Sequence, residues 1–421
     1  MNAADIGPVR PEDQNQSSID LFLIFVGANV VATTFQVGAS LASSFAVREA
    51  TLLIIVGSAA GAALVAILAP IGSRLRVPSV IAARPALGFR GAGLVAAVLY
   101  LSNFAWIALN NVIAASASSR AAGTDSLLGA TSSQAVWAIA LGVLATLIVW
   151  RGPAAVARAD RVAVPLLAVV AIALTIACVR AAPGLGAAPT STMSWSRGLD
   201  VVVGYQVSWI LMFADYSRYT RSPRGSAGAV FLGLALTSAW MMPLGAIAAR
   251  VAGSADPGTM LSALGLGAAG AVLLAIATLT TNFVNIYMSS LAWKSLFPGA
   301  RDSAVVWSIG LIGTALSAIP GVWLNQYTNF MMLVGAVLVP VGGVLVAHYY
   351  LVAKETTGQD LTQQLYDSAG RFRGVNVAGV LAWVAGGAVF FAAGSFGGTL
   401  PAIVVSIVIY VALGRRVRTL T

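Results

Sequence analysis

A stripe of polar and aromatic side chains inside an apolar segment is the feature of this sequence best suited to binding chemistry. The segment LSNFAWIALNNVIAASA carries Asn103, Trp106 and Asn110, and this spacing places them on one face of a helix. An indole between two amides suits a flat heterocycle, because the rings stack and the amides read the hydrogen bonds of its edge. The alternative interpretation is that the asparagines link neighbouring helices.

A second polar run, ATLTTNFVNIYMSS, contains Ala277, Thr280, Thr281, Asn282 and Asn285. Two adjacent hydroxyls can complete an oxygen shell around a hard monovalent cation, provided that carbonyl groups of an unwound helix supply the other ligands. Such a site needs no carboxylate, and this run contains none. The alternative is that the threonine hydroxyls bond back to the preceding turn of their own helix.

Two apolar segments are interrupted at their middle by glycine and an amide. One reads Gly27-Ala28-Asn29 within FVGANVVATTF, and the other reads Gly204-Tyr205-Gln206 within VVVGYQVSW. Interruptions at matching places in two halves are typical of transporters built from inverted repeats, with a binding site near the middle of the membrane. The alternative is that each glycine only lets two helices pack closely.

The elements that must position these residues are membrane-spanning helices. The chain has 421 residues, 58% of them hydrophobic and only 9% charged, whereas soluble domains carry about 25% charged residues. Its mean hydropathy is +0.88. Successive apolar runs are close to the roughly 20 residues that cross a bilayer. We therefore predict an all-α integral membrane protein with about 12 transmembrane helices, near 19–46, 51–72, 91–119, 133–150, 162–182, 198–214, 226–249, 261–293, 303–320, 327–352, 375–393 and 398–414.

The basic residues support this topology and fix its orientation. If the N-terminus is cytoplasmic, all of the 24 Lys and Arg residues lie in tails and inner loops except Arg48, Arg120, Arg180, Arg197 and Arg250, as the positive-inside rule requires. We therefore expect a multi-pass protein of the cell (inner) membrane with both termini in the cytoplasm. Residues 1–18 are polar and are predicted to be a disordered tail, and residues 415–421 a second cytoplasmic tail.

Composition also excludes several classes of function. The net charge of +10 is spread over every inner loop, which argues against a nucleic-acid partner. The single cysteine, Cys178, leaves no disulfide framework, and one histidine with few buried carboxylates does not suit an enzyme, so we expect no catalytic residues and no cofactor. A proton-coupled carrier usually has a titratable group at mid-membrane depth. Its absence favours sodium as the coupling ion.

Four segments carry a resemblance to a known family: PSVIAARPALGFRGAG (78–93), FADYSRYTRSPR (213–224), TTNFVNIYMSSLAW (280–293) and PVGGVLVAHYY (340–350). In this order, over about residues 18–415, the chain resembles the nucleobase:cation symporter family of cytosine, allantoin, uracil and hydantoin permeases. The resemblance implies a LeuT-type fold that works by alternating access. Residues 19–182 would form the first inverted repeat, 198–352 the second, and 375–414 two peripheral helices.

The resemblance also implies roles for individual residues. In the family, aromatic side chains of the third helix and the broken sixth helix sandwich the substrate ring. The first matches Trp106. The second falls on Gln206, where an amide would replace the family's aromatic, or on the neighbouring Tyr205. The predicted substrate-binding residues are Asn29, Asn103, Trp106, Asn110, Tyr205, Gln206, Asn282 and Asn285. The predicted sodium ligands are the carbonyl groups of Gly27, Val30 and Ala277 and the hydroxyl groups of Thr280 and Thr281.

The leading hypothesis is a secondary active transporter that imports a small nitrogen heterocycle, such as a nucleobase, hydantoin or vitamin-like compound, by sodium symport. Its partners would be the heterocycle, Na⁺ and the lipid bilayer. A proton-coupled symporter of the same substrates, a passive channel and a transporter-like sensor remain as alternatives. A channel needs a ring of like residues at a constriction, and none is evident. The sequence does not determine the oligomeric state or which heterocycle is carried.

Overall fold

The computed structural model describes residues 6–181, 189–297, 299–353 and 359–417, and the regular elements in these ranges are helical. The main helices are α1 (Ser18–Asn29), α2 (Ala32–Leu41), α3 (Val47–Leu75), α4 (Phe89–Ala121), α5 (Ala130–Trp150), α6 (Pro153–Ala181), α7 (Trp195–Val207), α8 (Pro223–Ala252), α9 (Pro257–Ala263), α10 (Gly267–Leu296), α11 (Asp302–Leu316), α12 (Tyr327–Val346), α13 (Gln359–Tyr366), α14 (Val377–Ala392) and α15 (Thr399–Val417). The predicted all-α class is confirmed.

Length and hydropathy identify the membrane spans among these helices. Seven described helices are long and apolar enough to cross a bilayer, and α1 with α2 forms an eighth, bent span. The shorter apolar helices α11, α14 and α15, together with α7 and the residues after it, complete the twelve segments expected from the sequence. Only residues 415–417 of the predicted C-terminal tail are described, and they continue α15. Residues 418–421 lie outside the described part.

Polar side chains at the membrane boundaries set where several helices begin. Ser17 and Asp20 form a reciprocal capping box at the start of α1, which satisfies backbone N–H groups that have no helical partner. Both carboxylate oxygens of Asp200, in α7, accept hydrogen bonds from the backbone N–H groups of Gly398 and Thr399, at 2.6 and 3.0 Å. This buried carboxylate therefore holds the start of α15.

The predicted interruption of the first span at Gly27-Ala28-Asn29 is displaced, because these residues are helical and the break follows directly after them, at Val30 and Val31. α1 ends at Asn29, Val30 and Val31 leave helical geometry, and α2 begins at Ala32 with its axis bent by 58°. Val31 is extended, with φ −138° and ψ 165°. The bend frees the carbonyl groups of the last turn of α1 from helical bonding.

The predicted interruption of the sixth span at Gly204-Tyr205-Gln206 is wrong in position. α7 runs through all three residues to Val207, and a 3₁₀ helix follows at Ser208–Met212. The hydroxyl of Ser208 donates to the carbonyl of Tyr205 at 2.7 Å. A side chain that bonds locally in this way competes with the regular helix. Gly204 serves packing instead, because a Cβ atom there would overlap the carbonyl oxygen of Met331 in α12.

The predicted eighth span, 261–293, joins two separate helices. α9 is a short helix capped by Asp256, whose carboxylate accepts from the backbone N–H of Thr259 at 2.9 Å. Gly265 then turns the chain at φ +72° before α10 begins at Gly267. A positive φ favours glycine, and this turn has no counterpart in the hydropathy pattern.

Two packing groups organise the bundle. α3 packs along α8 and α7, and α8 also packs along α1 and α2. In the second group, α4 packs along α10 and α5, and α11 packs along α5 and α4. α12 contacts α7 and carries the peripheral pair α14 and α15 on its other side. The space between the two groups is where a site can form.

Residues 6–17 of the N-terminal tail, for which the sequence predicts disorder, make contacts with the end of the bundle in this structure. Residues 1–5 lie outside the described part. The side chain of Gln14 is buried, and its Nε2 donates to the carbonyl oxygens of Ser73, Arg218 and Thr220 at 2.9, 3.1 and 3.3 Å. The segment is polar, and both its backbone and the buried amide of Gln14 form hydrogen bonds with the loops at this end of the bundle.

Candidate functional site

A cavity of about 570 Å³ lies between the two packing groups and reaches both helix breaks. Its polar and aromatic lining consists of Thr33, Ser102, Asn103, Trp106, Asn110, Tyr205, Ser208, Trp209, Tyr216, Thr280, Thr281, Phe283, Asn285, Tyr287, Ser290 and Asp302. The volume is typical of a small-molecule site. A ring with substituents fits within it.

The cavity opens toward the end of the bundle that holds Ser18, here called the Ser18 end. It is bordered there by Ile24 in α1, Gly152 between α5 and α6, and Asp302, the first residue of α11. The Asp302 side chain is 49% exposed, so the cavity meets the surface at this point. Toward the opposite end, the Trp106 ring packs edge-to-face against Tyr205 and Phe330, with centroids 5.9 and 5.1 Å apart.

One wall of the cavity is the predicted stripe of α4. Asn103, Trp106 and Asn110 all border it. Within the part of the chain that the structure describes, neither amide atom of Asn103 has a hydrogen-bond partner, although the residue is fully buried. Because an unpaired buried amide costs free energy, Asn103 presents one donor and one acceptor that a bound molecule can satisfy.

The facing polar run of α10 orients a second amide of the wall. Asn282 does not border the cavity. Its Nδ2 donates to Asn111 Oδ1 at 2.8 Å, and its Oδ1 accepts from the amides of Asn110 and Asn285, each at 3.4 Å. The Nδ2 of Asn110 therefore donates to Asn282, and its Oδ1 has no hydrogen-bond partner among the described residues. Asn282 therefore acts behind the wall, by turning Asn110 and Asn285.

Two other predicted substrate contacts lie away from the cavity. Asn29 and Gln206 are fully buried, and both amides point toward α8. Asn29 Nδ2 donates to Leu234 O, Thr237 Oγ1 and Ser238 Oγ at 3.2, 2.7 and 2.8 Å. Gln206 Nε2 donates to the same Ser238 hydroxyl at 3.0 Å. In this structure these two amides hold the broken helices against α8 and do not reach a ligand.

Trp209 is a cavity residue that the sequence analysis missed. It lies in the 3₁₀ segment after α7, borders the cavity, and packs edge-to-face on Phe25 at 5.5 Å. It supplies the second aromatic face that Gln206 lacks. The signal was present in the letters VSWILM, but the break was expected one turn too early. Tyr287 also borders the cavity and was also missed, although it lies seven residues after Thr280 and so shares its face of α10.

The predicted sodium ligands divide between two adjoining spaces. Gly27, Thr280 and Thr281 border the main cavity, whereas Val30 and Ala277 border a space of about 10 Å³ beside it. Val31 borders both. The structure therefore brings the helix break and the polar turn of α10 to the same region.

The donor set fits a hard monovalent cation, with one adjustment. All five predicted ligand atoms are oxygens, as such an ion prefers. In this structure, however, the hydroxyls of Thr280 and Thr281 donate to Ala277 O at 3.0 and 2.7 Å, which is the back-bonded arrangement considered above. Their lone pairs remain available, but the Ala277 carbonyl becomes a ligand only after the hydroxyls turn away.

Titratable groups are sparse along the described lining of the cavity. Asp302, at the mouth, is the one carboxylate there, and it pairs with Lys294 at the end of α10. Three tyrosines, Tyr205, Tyr216 and Tyr287, are the remaining titratable side chains.

Asp215 does not border the cavity. It accepts a hydrogen bond from Ser79 at 2.5 Å, and burial raises its pKa, with Arg218 and Ser79 opposing the rise.

Known proteins with similar sequences are membrane permeases. The cytosine permease of Escherichia coli (strain K12) is 25% identical over 351 residues, which cover 82% of this chain and 80% of that protein. The purine-uracil permease NCS1 of Arabidopsis thaliana is 24% identical over 424 residues, covering 91% of this chain and 69% of that protein.

Solved structures show the same fold. The inward-facing conformation of Mhp1 matches with a TM-score of 0.82 and 19% identity, covering 98% of this chain and 93% of that chain. Mhp1 in a closed conformation with bromovinylhydantoin bound, described as a nucleobase-cation-symport-1 family transporter, matches at 0.79 with 19% identity, covering 100% and 96%. The LeuT-type fold inferred from the sequence is thereby confirmed.

The family whose profile matches this chain is described as permeases for cytosine/purines, uracil, thiamine and allantoin, and the match spans residues 8–412. Because that match covers nearly the whole chain and agrees with the fold and the buried cavity, the protein is a multi-pass membrane transporter, not an enzyme, and belongs to the cytosine/purine, uracil, thiamine and allantoin permease family.

Proposed function

We propose that this chain is a secondary active transporter that imports a neutral nitrogen heterocycle, such as a nucleobase or hydantoin, in symport with sodium. The observation that carries the proposal is the α4 wall. There the Trp106 indole and Asn103 both border the cavity, and neither amide atom of Asn103 has a hydrogen-bond partner among the described residues. A ring edge with adjacent N–H and C=O groups complements this amide. Two relatives are named cytosine permease and purine-uracil permease, and substrates of these kinds agree with that chemistry.

Two aromatic faces are available to hold such a ring. Trp106 lies on α4 and Trp209 on the segment after α7, so they approach the cavity from the two packing groups. A ring between them would draw the groups together, which is how binding energy can favour an occluded state in alternating access. Asn110, held by Asn282, offers a further acceptor.

The open end of the cavity gives the transport cycle a direction. With the Ser18 end in the cytoplasm, as the positive-inside rule predicts, the state described here would be inward-open. The ring contacts of Trp106 with Tyr205 and Phe330 then separate the cavity from the outside. Import requires these contacts to part while the Ser18 end closes.

Sodium is favoured as the coupling ion by the oxygen ligands near the break of the first span. The titratable groups described along the cavity are three tyrosines and a carboxylate at the mouth, so a proton carrier would lack a buried carboxylate at the depth of Trp106. Both ligands would stabilise the same occluded state, and each should tighten the other by an equal factor.

Uptake into proteoliposomes tests the proposal. Radiolabelled cytosine, uracil, adenine, hydantoin, allantoin and thiamine are compared, with an inward sodium gradient or with choline at the same pH. We expect accumulation of at least one neutral heterocycle with sodium only, together with counterflow exchange, which a channel does not show. Uptake that follows a pH gradient and ignores sodium would favour the proton-coupled carrier. Preference for the cationic thiamine would contradict a neutral substrate.

Replacing Trp106 examines the stacking role directly. We expect Trp106→Ala to weaken substrate binding by about 1–3 kcal/mol, the contribution of one stacked base in nucleic-acid sites. Trp240→Ala is the matched control, since Trp240 is 36% exposed on the outside of the bundle and does not border the cavity. Equal losses in the two variants would remove the stacking role.

A further inference from the structure

Two hydroxyl groups, those of Thr34 and Tyr205, join the cavity to the break of the first span. We propose that Thr34 and Tyr205 are positioning residues that transmit substrate binding to this break, and cation binding back to the substrate. Their role rests on the proposed function, because it needs a carrier that binds both ligands. It concerns how the two ligands influence each other, which neither binding site alone explains.

The direction of each hydrogen bond follows from the atoms involved. Thr34 Oγ1 lies 2.5 Å from the carbonyl oxygen of Asn29 and 2.5 Å from the hydroxyl oxygen of Tyr205. A carbonyl oxygen can only accept, so the Thr34 proton goes to Asn29 O. The Tyr205 hydroxyl must therefore donate to Thr34. The result is a directed chain from the cavity wall to the last carbonyl of α1.

This series of hydrogen bonds links the two halves of the first span across the bend. Asn29 belongs to α1 and Thr34 to α2, so their bond holds the two halves of the broken span together. The Asn29 side chain is anchored separately on α8 through Thr237 and Ser238. Movement of Thr34 therefore changes the bend itself. The carbonyl groups of Gly27 and Val30, proposed as cation ligands, lie within two residues of Asn29.

The other end of the chain lies in the cavity wall. The Tyr205 ring borders the cavity and packs edge-to-face on Trp106. A heterocycle stacked on Trp106 would fix the Tyr205 ring, and with it the hydroxyl that donates to Thr34. Both side chains are buried, Thr34 at 0% and Tyr205 at 3% exposure. The bond from Thr34 to Asn29 O is therefore shielded from water, because both residues are fully buried.

The neighbouring residue supplies a matched control. Tyr327, in α12, donates its hydroxyl to the carbonyl of Thr33 at 2.7 Å and is 2% exposed. It therefore makes the same kind of buried bond to the same turn of α2. Unlike Tyr205, it does not border the cavity. Tyr327→Phe and Tyr205→Phe each remove one buried hydroxyl and its hydrogen bond to α2. Only Tyr205→Phe interrupts the hydrogen bonds that lead from the cavity to the bend.

Equilibrium binding to the purified full-length chain in lipid nanodiscs tests the role. The probe is radiolabelled cytosine, or uracil if the wild-type chain does not bind cytosine, measured in sodium chloride and in choline chloride. The quantity compared is the factor by which sodium raises the affinity, which for coupled sites is typically about 5–150-fold. In Tyr205→Phe and Thr34→Val we expect this factor to fall below about twofold. Affinity in choline should be unchanged in Thr34→Val, because Thr34 does not border the cavity. Thr34→Ser and Tyr327→Phe should keep it.

Each contrary outcome is distinct. A wild-type sodium factor retained in Tyr205→Phe would overturn the positioning role and leave the proposed function intact. Equal loss of affinity in sodium and in choline would show that Tyr205 is only a substrate contact. Loss of the sodium effect on affinity in Tyr327→Phe as well would show that both tyrosines only stabilise the packing of α2. A wild-type chain that binds without any sodium effect would refute sodium symport and this role together.

Discussion

The two broken spans carry the same sequence signature, a glycine followed two residues later by an amide, but the structure uses it differently in each. A Cβ atom at Gly27 would meet nothing within 4 Å, and this glycine borders the cavity. At Gly204 the same atom would overlap the Met331 carbonyl. The first glycine therefore leaves space for a ligand, and the second lets two helices approach. What lies opposite a glycine decides its role.

The amides of the signature behave alike, and they contrast with those of α4. Asn29 and Gln206 share the Ser238 hydroxyl and the Leu234 carbonyl as partners, so both broken spans are held to one turn of α8. Asn103 borders the cavity, and its side chain has no hydrogen-bond partner among the described residues. A buried amide with protein partners holds helices, whereas one that faces a cavity without partners is available to a ligand.

The glycine comparison gives the largest expected effect. Gly204→Ala should lower the free energy of unfolding by about 1–3 kcal/mol or more, the cost of overpacking, because backbone atoms of α12 cannot turn aside. Gly27→Ala should leave thermal stability unchanged or slightly higher, since alanine favours a helix over glycine. Both are measured by thermal unfolding in the same detergent. Equal shifts in the two variants would show that the packing of α7 against α12 is looser than described.

The amide comparison predicts that stability and binding respond in opposite ways. Asn103→Leu should weaken substrate affinity by about 1–3 kcal/mol, the cost of leaving ligand polar groups without partners. Its thermal stability should not fall, since the native amide makes no protein hydrogen bond. The two quantities are measured on the same preparation. A clear loss of stability with normal affinity would place Asn103 among the structural amides.

Asn29→Leu should show the reverse pattern, with a smaller change. Polar bonds between membrane helices contribute about 0.6 kcal/mol on average and up to about 1.7, so we expect a stability loss in that range and a smaller effect on affinity than in Asn103→Leu. Because Gln206 shares Ser238, the double variant with Gln206→Leu should be non-additive. Strict additivity would mean that the two amides hold α8 independently.

Much of the fold was predictable because it depends on hydropathy and charge along the chain. The twelve segments and the bend near Asn29 follow from apolar length and from a polar interruption. The site was only partly predictable. The stripe of Asn103, Trp106 and Asn110 follows from helical spacing, but the direction in which Gln206 points depends on its tertiary contact with α8. Trp209 was missed because a one-turn shift in a break changes which residues face the cavity.

The N-terminal segment offers a third kind of buried amide and the smallest expected effect on affinity. Gln14 joins three carbonyl groups at the Ser18 end and does not border the cavity, so Gln14→Ala should cost about 1 kcal/mol of stability and leave affinity unchanged. The loss should appear as faster amide hydrogen exchange in residues 6–17. Asn15→Ala is the control, since Asn15 is exposed. If exchange were equally fast in the wild-type chain, the segment would be disordered, as its polarity alone suggested.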